Sequence, residues 1–206
     1  MTAPSPPKTK SWLRLVTLPL SLLLILATIA AGQEIIRRAP DYDSGSRPYV
    51  HAGGIGDTVD GLTFSVVVAS VSGASTVRAG FDEDYHTDGV FVAVRAKVTA
   101  HSEVVLLQHI AVVDRAGRVF EATPRFFQVF GGYYRFQPAV PVAGEIIFEV
   151  PRDAVAGLVL QVSADQILDR RNQTIAQVDL GLGQSTVDKW LAAPEPLELA
   201  DPEVAA

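Results

Sequence analysis

The chain contains no cysteine. That excludes a disulfide framework, a thiolate metal site, a cysteine nucleophile and a lipid-modified cysteine anchor. Basic charge is in short supply: 17 Lys and Arg stand against 23 Asp and Glu, for a net charge of −6. Nucleic-acid binding needs a basic surface, so no nucleic-acid partner is expected. His51, His86, His101 and His109 show neither His-x-His nor His-x-x-x-His spacing, so a zinc site has no support. No Gly-x-Ser-x-Gly elbow appears. Gly53-Gly-Ile-Gly56 lacks the Lys-Ser/Thr and the strand–helix setting of a phosphate loop. With no nucleophile–base or ligand constellation in view, no enzyme is expected, and no catalytic, cofactor or metal residue is assigned.

One long hydrophobic run is present. Leu15–Ala31 is almost wholly apolar, and the wider Trp12–Gly32 carries a single charge, Arg14. A helix of that length rises about 30 Å, one hydrocarbon thickness. Trp12 falls where an interfacial aromatic belongs. Pro19 lies in the first turns, where it does least damage. The run exceeds the 7–15 residues typical of a cleaved signal peptide, although Ala27–Gly32 offers the small residues of a cleavage site. The expectation is an uncleaved signal-anchor over 12–32, with the lipid bilayer as partner of Leu15–Ala31. A cleaved, secreted interaction protein is the alternative. Lys8, Lys10 and Arg14 precede the span, while Arg37 and Arg38 follow it. This bias places Met1–Ser11 as a disordered cytoplasmic segment and the remainder outside the cell membrane. Residues 33–57, rich in Gly, Pro and Asp with no sustained period, read as a flexible linker.

From Leu62 onward strands dominate. In Val90–Val98, Val90, Val92, Val94, Ala96 and Val98 share one face while Arg95 and Lys97 take the other, the period of a half-buried strand. Val104–Val113 is apolar on both faces and reads as a deeper strand of the same sheet centre. Asp114–Arg118, with Gly117, is a turn. Leu62–Val68, a short Ser75–Gly80, Arg118–Ala122, Glu145–Val150 ending at Pro151, Gly157–Ser163 and Gln173–Leu180 complete the set. Many short strands without a long helical pattern mean an all-β fold: an antiparallel β-sandwich over 58–182. Ser185-Thr-Val-Asp188 resembles a capping pattern before a short helix over Val187–Ala193. The acidic, Pro-containing tail from Pro194 reads as disordered.

Gly89–Val98, Val113-Asp-Arg-Ala-Gly-Arg-Val-Phe120, Pro141-Val-Ala-Gly144, Ile147-Phe-Glu-Val-Pro151 and Leu158–Val162 together resemble the DUF4352-type domain. That family is telokin-like, an immunoglobulin-like sandwich related to the mycobacterial immunoprotective extracellular proteins. The resemblance spans Leu62–Ala164. It implies an immunoglobulin-like fold in an exported or membrane-anchored bacterial protein, and it carries no catalytic residues. Ala100 and His101 stand where the family often has an Asn.

Two stretches are candidate sites. Asp84, His86, Asp88 and Gly89 follow the opening spacing of an EF-hand loop, but Arg95 stands where the closing Glu is required. Asp82–Asp88 is therefore read as a solvated loop with weak calcium binding at most. The second stretch is Phe126–Phe136, where six aromatic residues flank Gly131-Gly132, a hairpin signal. Phe126 and Phe130 are expected in the core. Phe127, Tyr133, Tyr134 and Phe136, with Trp190 on the short helix, are the candidate partner-binding residues, because one strand pair cannot bury them all. The expected role is a non-catalytic binding or accessory module of the bacterial envelope with a membrane or envelope protein as partner; a hydrolase or metal-binding protein is the lesser alternative.

Overall fold

The computed structural model describes residues 27–28, 33, 48–79, 83–126, 130, 134–164, 174–193 and 195–205. The chain divides into two units, Met1–Gly45 and Ser46–Ala206. In the first, Ala27, Thr28 and Gln33 are helical. The expected membrane span lies almost wholly outside the described residues. Among the described residues no helix is long and apolar enough to cross a membrane.

Two sheets form the second unit. One holds β1 (Tyr49–Gly54), β11 (Thr174–Asp179), β10 (Val159–Ser163), β6 (His109–Val113) and β7 (Val119–Glu121), in that order. The other runs β12 (Leu197–Glu198), β3 (Phe64–Ala79), β4 (Glu83–Ala100), β9 (Val142–Val150), β13 (Glu203–Val204), with β2 (Thr58–Asp60) also paired to β3. Most pairings are antiparallel; β1–β11 and β12–β3 are parallel. A small pair joins β5 (Val105–Leu106) to β8 (Arg135–Phe136). The helix α1 (Gln184–Ala192) follows β11.

The period-2 reading of Val90–Val98 holds. Val90, Val92, Val94, Ala96 and Val98 are buried in the main core, facing Ile110, Val112, Leu160, Val162, Ala176 and Val178 of the opposite sheet. The run Val104–Val113 is broken at Leu107–Gln108, and β6 lies in the sheet opposite β4. The two runs face each other across the core instead of pairing, and Ile110 and Val112 are the β6 side chains that enter it.

Three expectations are corrected. The linker ends earlier, because Tyr49–Gly54 pairs with β11. As an edge strand held by backbone hydrogen bonds, with its first four side chains exposed, it needs no apolar period. Ser75–Gly80 is not a separate short strand: Thr76 to Ala79 extend β3 and pair with Glu83 to His86 of β4. The tail is not free, since Leu197–Glu198 pairs with β3 and Glu203–Val204 with β9. Two residues at each edge of that sheet are thereby paired.

Candidate binding cleft

Of the sequence-derived partner residues, Tyr134, Phe136 and Trp190 fall among the described residues. Phe127 and Tyr133 lie outside the described residues. Phe136 is buried, with ring centroids 5.2 Å from Phe130 and 4.8 Å from Tyr134. Tyr134 is half-buried against the main core. Arg135–Phe136 pairs with Val105–Leu106, so the second arm of the expected hairpin has β5 as partner. Phe126 and Phe130 are both buried, as expected, but in different clusters: Phe130 in the main core, Phe126 on the outer face of the β3–β4–β9 sheet. Trp190 is partly buried against the main core. Its ring lies over Gly73, where an added Cβ would sit 2.4 Å from it. Glycine at 73 is thus required by close approach, and α1 is docked on β3 through this contact. The helix begins after Gly183, one residue before the expected capping Ser185.

From Glu83 to Gly89 the chain is strand, not loop. Asp84, His86 and Asp88 alternate along the exposed start of β4. Arg78 Nε and Nη2 donate to the two carboxylate oxygens of Asp84 at 2.8 and 3.1 Å. That hydrogen bonding holds the Asp84 carboxyl below its ordinary range, against a smaller opposing push from burial. His86 Nδ1 meets Thr76 Oγ1 at 2.8 Å. An extended backbone spreads these side chains along the strand, so they do not converge as an EF-hand loop does. Among the described residues no group of three His, Asp or Glu side chains is placed to hold a metal.

A recess lies elsewhere, at the edge where the two sheets meet. Ala122 bridges antiparallel to Phe148, and Thr123 N–H donates to the Ile147 carbonyl at 2.8 Å. Continuing that register would set Phe120 opposite Val150. Instead the strands part there and leave a cleft of about 640 Å³. Phe120, Val150 and Pro151 give it apolar walls, and Thr87, Asp88, Gly89, Glu149 and Arg152 its polar rim. Its volume is within the range of small-molecule sites.

Two networks fix this geometry. On one side Arg118 donates to Asp114 at 2.5 Å and to Asp153 at 2.8 Å, while its guanidinium lies 5.9 Å from the Phe120 ring centroid. These bonds tie the Asp114–Arg118 turn to the 3₁₀ turn Arg152–Ala154 that follows Pro151. Burial pushes the Asp114 carboxyl up, but Arg118 and the N–H groups of Ala116 and Arg118 outweigh it, so the carboxyl is held below its ordinary range. On the other side Thr87 donates to Glu149 at 2.6 Å and accepts from Gly89 N–H at 3.0 Å. Arg125 approaches the second Glu149 oxygen at 3.4 Å. The Thr87 hydroxyl is therefore committed as donor and acceptor. Gly89 fits against β9 only without a side chain, because a Cβ would meet the Val150 carbonyl oxygen at 2.6 Å. Asp88 and Arg152 make no hydrogen bond or ion pair among the described residues and remain available to a ligand. Sequence reasoning missed this cleft, because its lining comes from three separate stretches with no local motif.

The strand pairing and the cleft define a two-sheet β-sandwich with a ligand-sized recess at one edge. No family model matches the chain, and no curated protein does. Solved structures of β-sandwich proteins are similar to it. One is an uncharacterised protein of Clostridium difficile 630, at 11% identity, covering 64% of this chain and 95% of that one, TM-score 0.41. Another is the yjhA protein of Bacillus subtilis, at 12% identity, covering 61% and 99%, TM-score 0.44. A third is the secreted protein MPT63 of Mycobacterium tuberculosis, at 14% identity, covering 63% and 98%, TM-score 0.45.

Proposed function

We propose that this protein is a membrane-anchored, extracytoplasmic binding or accessory module of a bacterial envelope, non-catalytic, and of the DUF4352-like, immunoglobulin-like kind. The cleft between Phe120 and Val150 carries the reading. Apolar walls with an unengaged Asp88 and Arg152 at the rim suit a ligand or partner side chain with an apolar body and a charged end. The apolar run Leu15–Ala31 and the cationic Lys8, Lys10 and Arg14 before it support the anchor and its orientation.

Native membranes test both halves. Alkaline carbonate should leave the chain in the pellet with its intact mass, and external protease should reach the sandwich. A photoreactive group at Arg152 should capture a partner, and Phe120→Ala should reduce that capture at least fivefold. A soluble species beginning near Gly32 would replace the anchor with the cleaved, secreted alternative. Capture unchanged by Phe120→Ala would remove the cleft as the binding site.

A further inference from the structure

The outer face of the β3–β4–β9 sheet is not polar throughout. Val77, Phe91, Ala93 and Ile147 are fully buried there, with Phe126 folded over them and Tyr85 edge-on to Phe126 at 5.3 Å. Leu197 and Leu199 of the tail pack on this cluster. The tail enters at the β3 edge, where Leu197 pairs with Val77, and leaves at the β9 edge, where Val204 pairs with Val142. Between these pairings the tail lies against the outer face, with Leu197 and Leu199 on the cluster and Ala200 beside Glu145.

Its contacts are those of a bound peptide. Arg95 donates to Glu203 at 2.6 Å, and Arg78 lies 4.0 Å from Glu198. Ala200 N–H donates to the buried Glu145 carboxylate at 3.2 Å, and Ala205 N–H to the Pro141 carbonyl at 2.9 Å. Backbone bonds at both edges, two leucines in an apolar trough and acidic side chains against arginines give both affinity and direction.

We propose that this outer face is a docking groove for an extended acidic segment of a partner protein carrying a Leu-x-Leu pair, and that the chain's own tail occupies the groove until such a segment displaces it. The tail's two-residue pairings at each edge are short, and its ion pairs are solvent-exposed and individually weak. Ala192 and Ala193 at the end of α1, with Pro196 beyond, place the start of the strap just outside the helix.

Because the chain lacks cysteine, a designed pair can report on the tail alone. A fluorescent peptide of the sequence Glu195–Ala206 is titrated against the full chain and followed by anisotropy. Loosening the tail by Leu199→Asp raises the fraction of open grooves, so the labelled peptide should bind at least tenfold more tightly than to the parent. Ala143→Cys with Glu203→Cys joins cross-strand partners; the oxidised form should lose peptide binding at least tenfold and reduction should restore it. A peptide with both leucines changed to Asp should not bind. Equal affinity for the parent, loosened and locked chains would overturn the proposal, as would no binding to the loosened chain while it melts cooperatively. A disulfide-linked dimer of the Cys pair would assign the groove to a second copy and overturn it too.

Discussion

Replacing Phe91 with alanine tests whether the outer face of the β3–β4–β9 sheet is core or surface. By sequence alternation Phe91 shares its face with Arg95 and Lys97, the side a half-buried strand gives to water. In the fold it is fully buried, and its ring meets Phe126 edge-on at 5.9 Å and 76°. Truncating a buried phenylalanine costs about 3–5 kcal/mol, and about 0.5–1.5 kcal/mol of that belongs to the edge-to-face pair. A substitution on an open strand face costs about 0.5 kcal/mol. Total stability is roughly 5–15 kcal/mol, so the two cases are well separated. For a domain this size each kcal/mol moves the melting temperature by about 2–4 °C, and Phe91→Ala should lower it by roughly 6–20 °C. Urea unfolding of the full chain in mild detergent, followed by circular dichroism, gives the free energy. Combining Phe91→Ala with Leu199→Ala should show a coupling of about 0.5–3 kcal/mol, since the tail leucine packs on the same cluster. A loss below about 1 kcal/mol for Phe91→Ala would refute the claim that the tail and Phe126 make a second core.

Burial holds the Glu145 carboxyl above its ordinary range, with the Ala200 N–H and Arg95 pulling the other way. The folded chain then binds this proton more tightly than the unfolded one, so stability falls as pH rises from the ordinary carboxylate range through the raised value; Glu145→Gln should flatten that slope in urea midpoints taken across pH 4 to about 7. Asp114 has the opposite sign. Its depressed carboxyl stabilises the fold above the ordinary range and loses that contribution as pH falls, so Asp114→Asn should lower stability at neutral pH and make acid unfolding less steep. Gly73→Val should push Trp190 off β3 and shift its emission to the red in a Trp12→Phe background; an unchanged spectrum would contradict the docking of α1 through that ring.

Much of the sandwich is legible in the sequence because burial on one face of a strand forces period 2. Val90–Val98 and Gly157–Ser163 carry that signature, Pro151 ends its strand, and Asp114–Gly117 turns where the chain must reverse. Sheet membership is not written this way. Val90–Val98 and Val104–Val113 are adjacent in sequence and equally apolar, yet β4 and β6 lie in opposite sheets, a choice made by which backbones pair across long separations. The aromatic segment shows the same limit. Nothing local distinguishes Phe126 from Phe130, but the path of the chain sends one ring to the outer face and the other to the main core. The cleft was hidden for a related reason, since Thr87, Phe120 and Arg152 converge only after three strands have found their partners. Tyr49–Gly54 and the tail were the hardest to see. Both are held largely by backbone hydrogen bonds at sheet edges, and backbone groups are the same in every sequence. An acidic, proline-containing stretch has the composition of a solvated tail; it becomes a strap only because the folded sheet presents it with two edges to pair with and an apolar cluster between them.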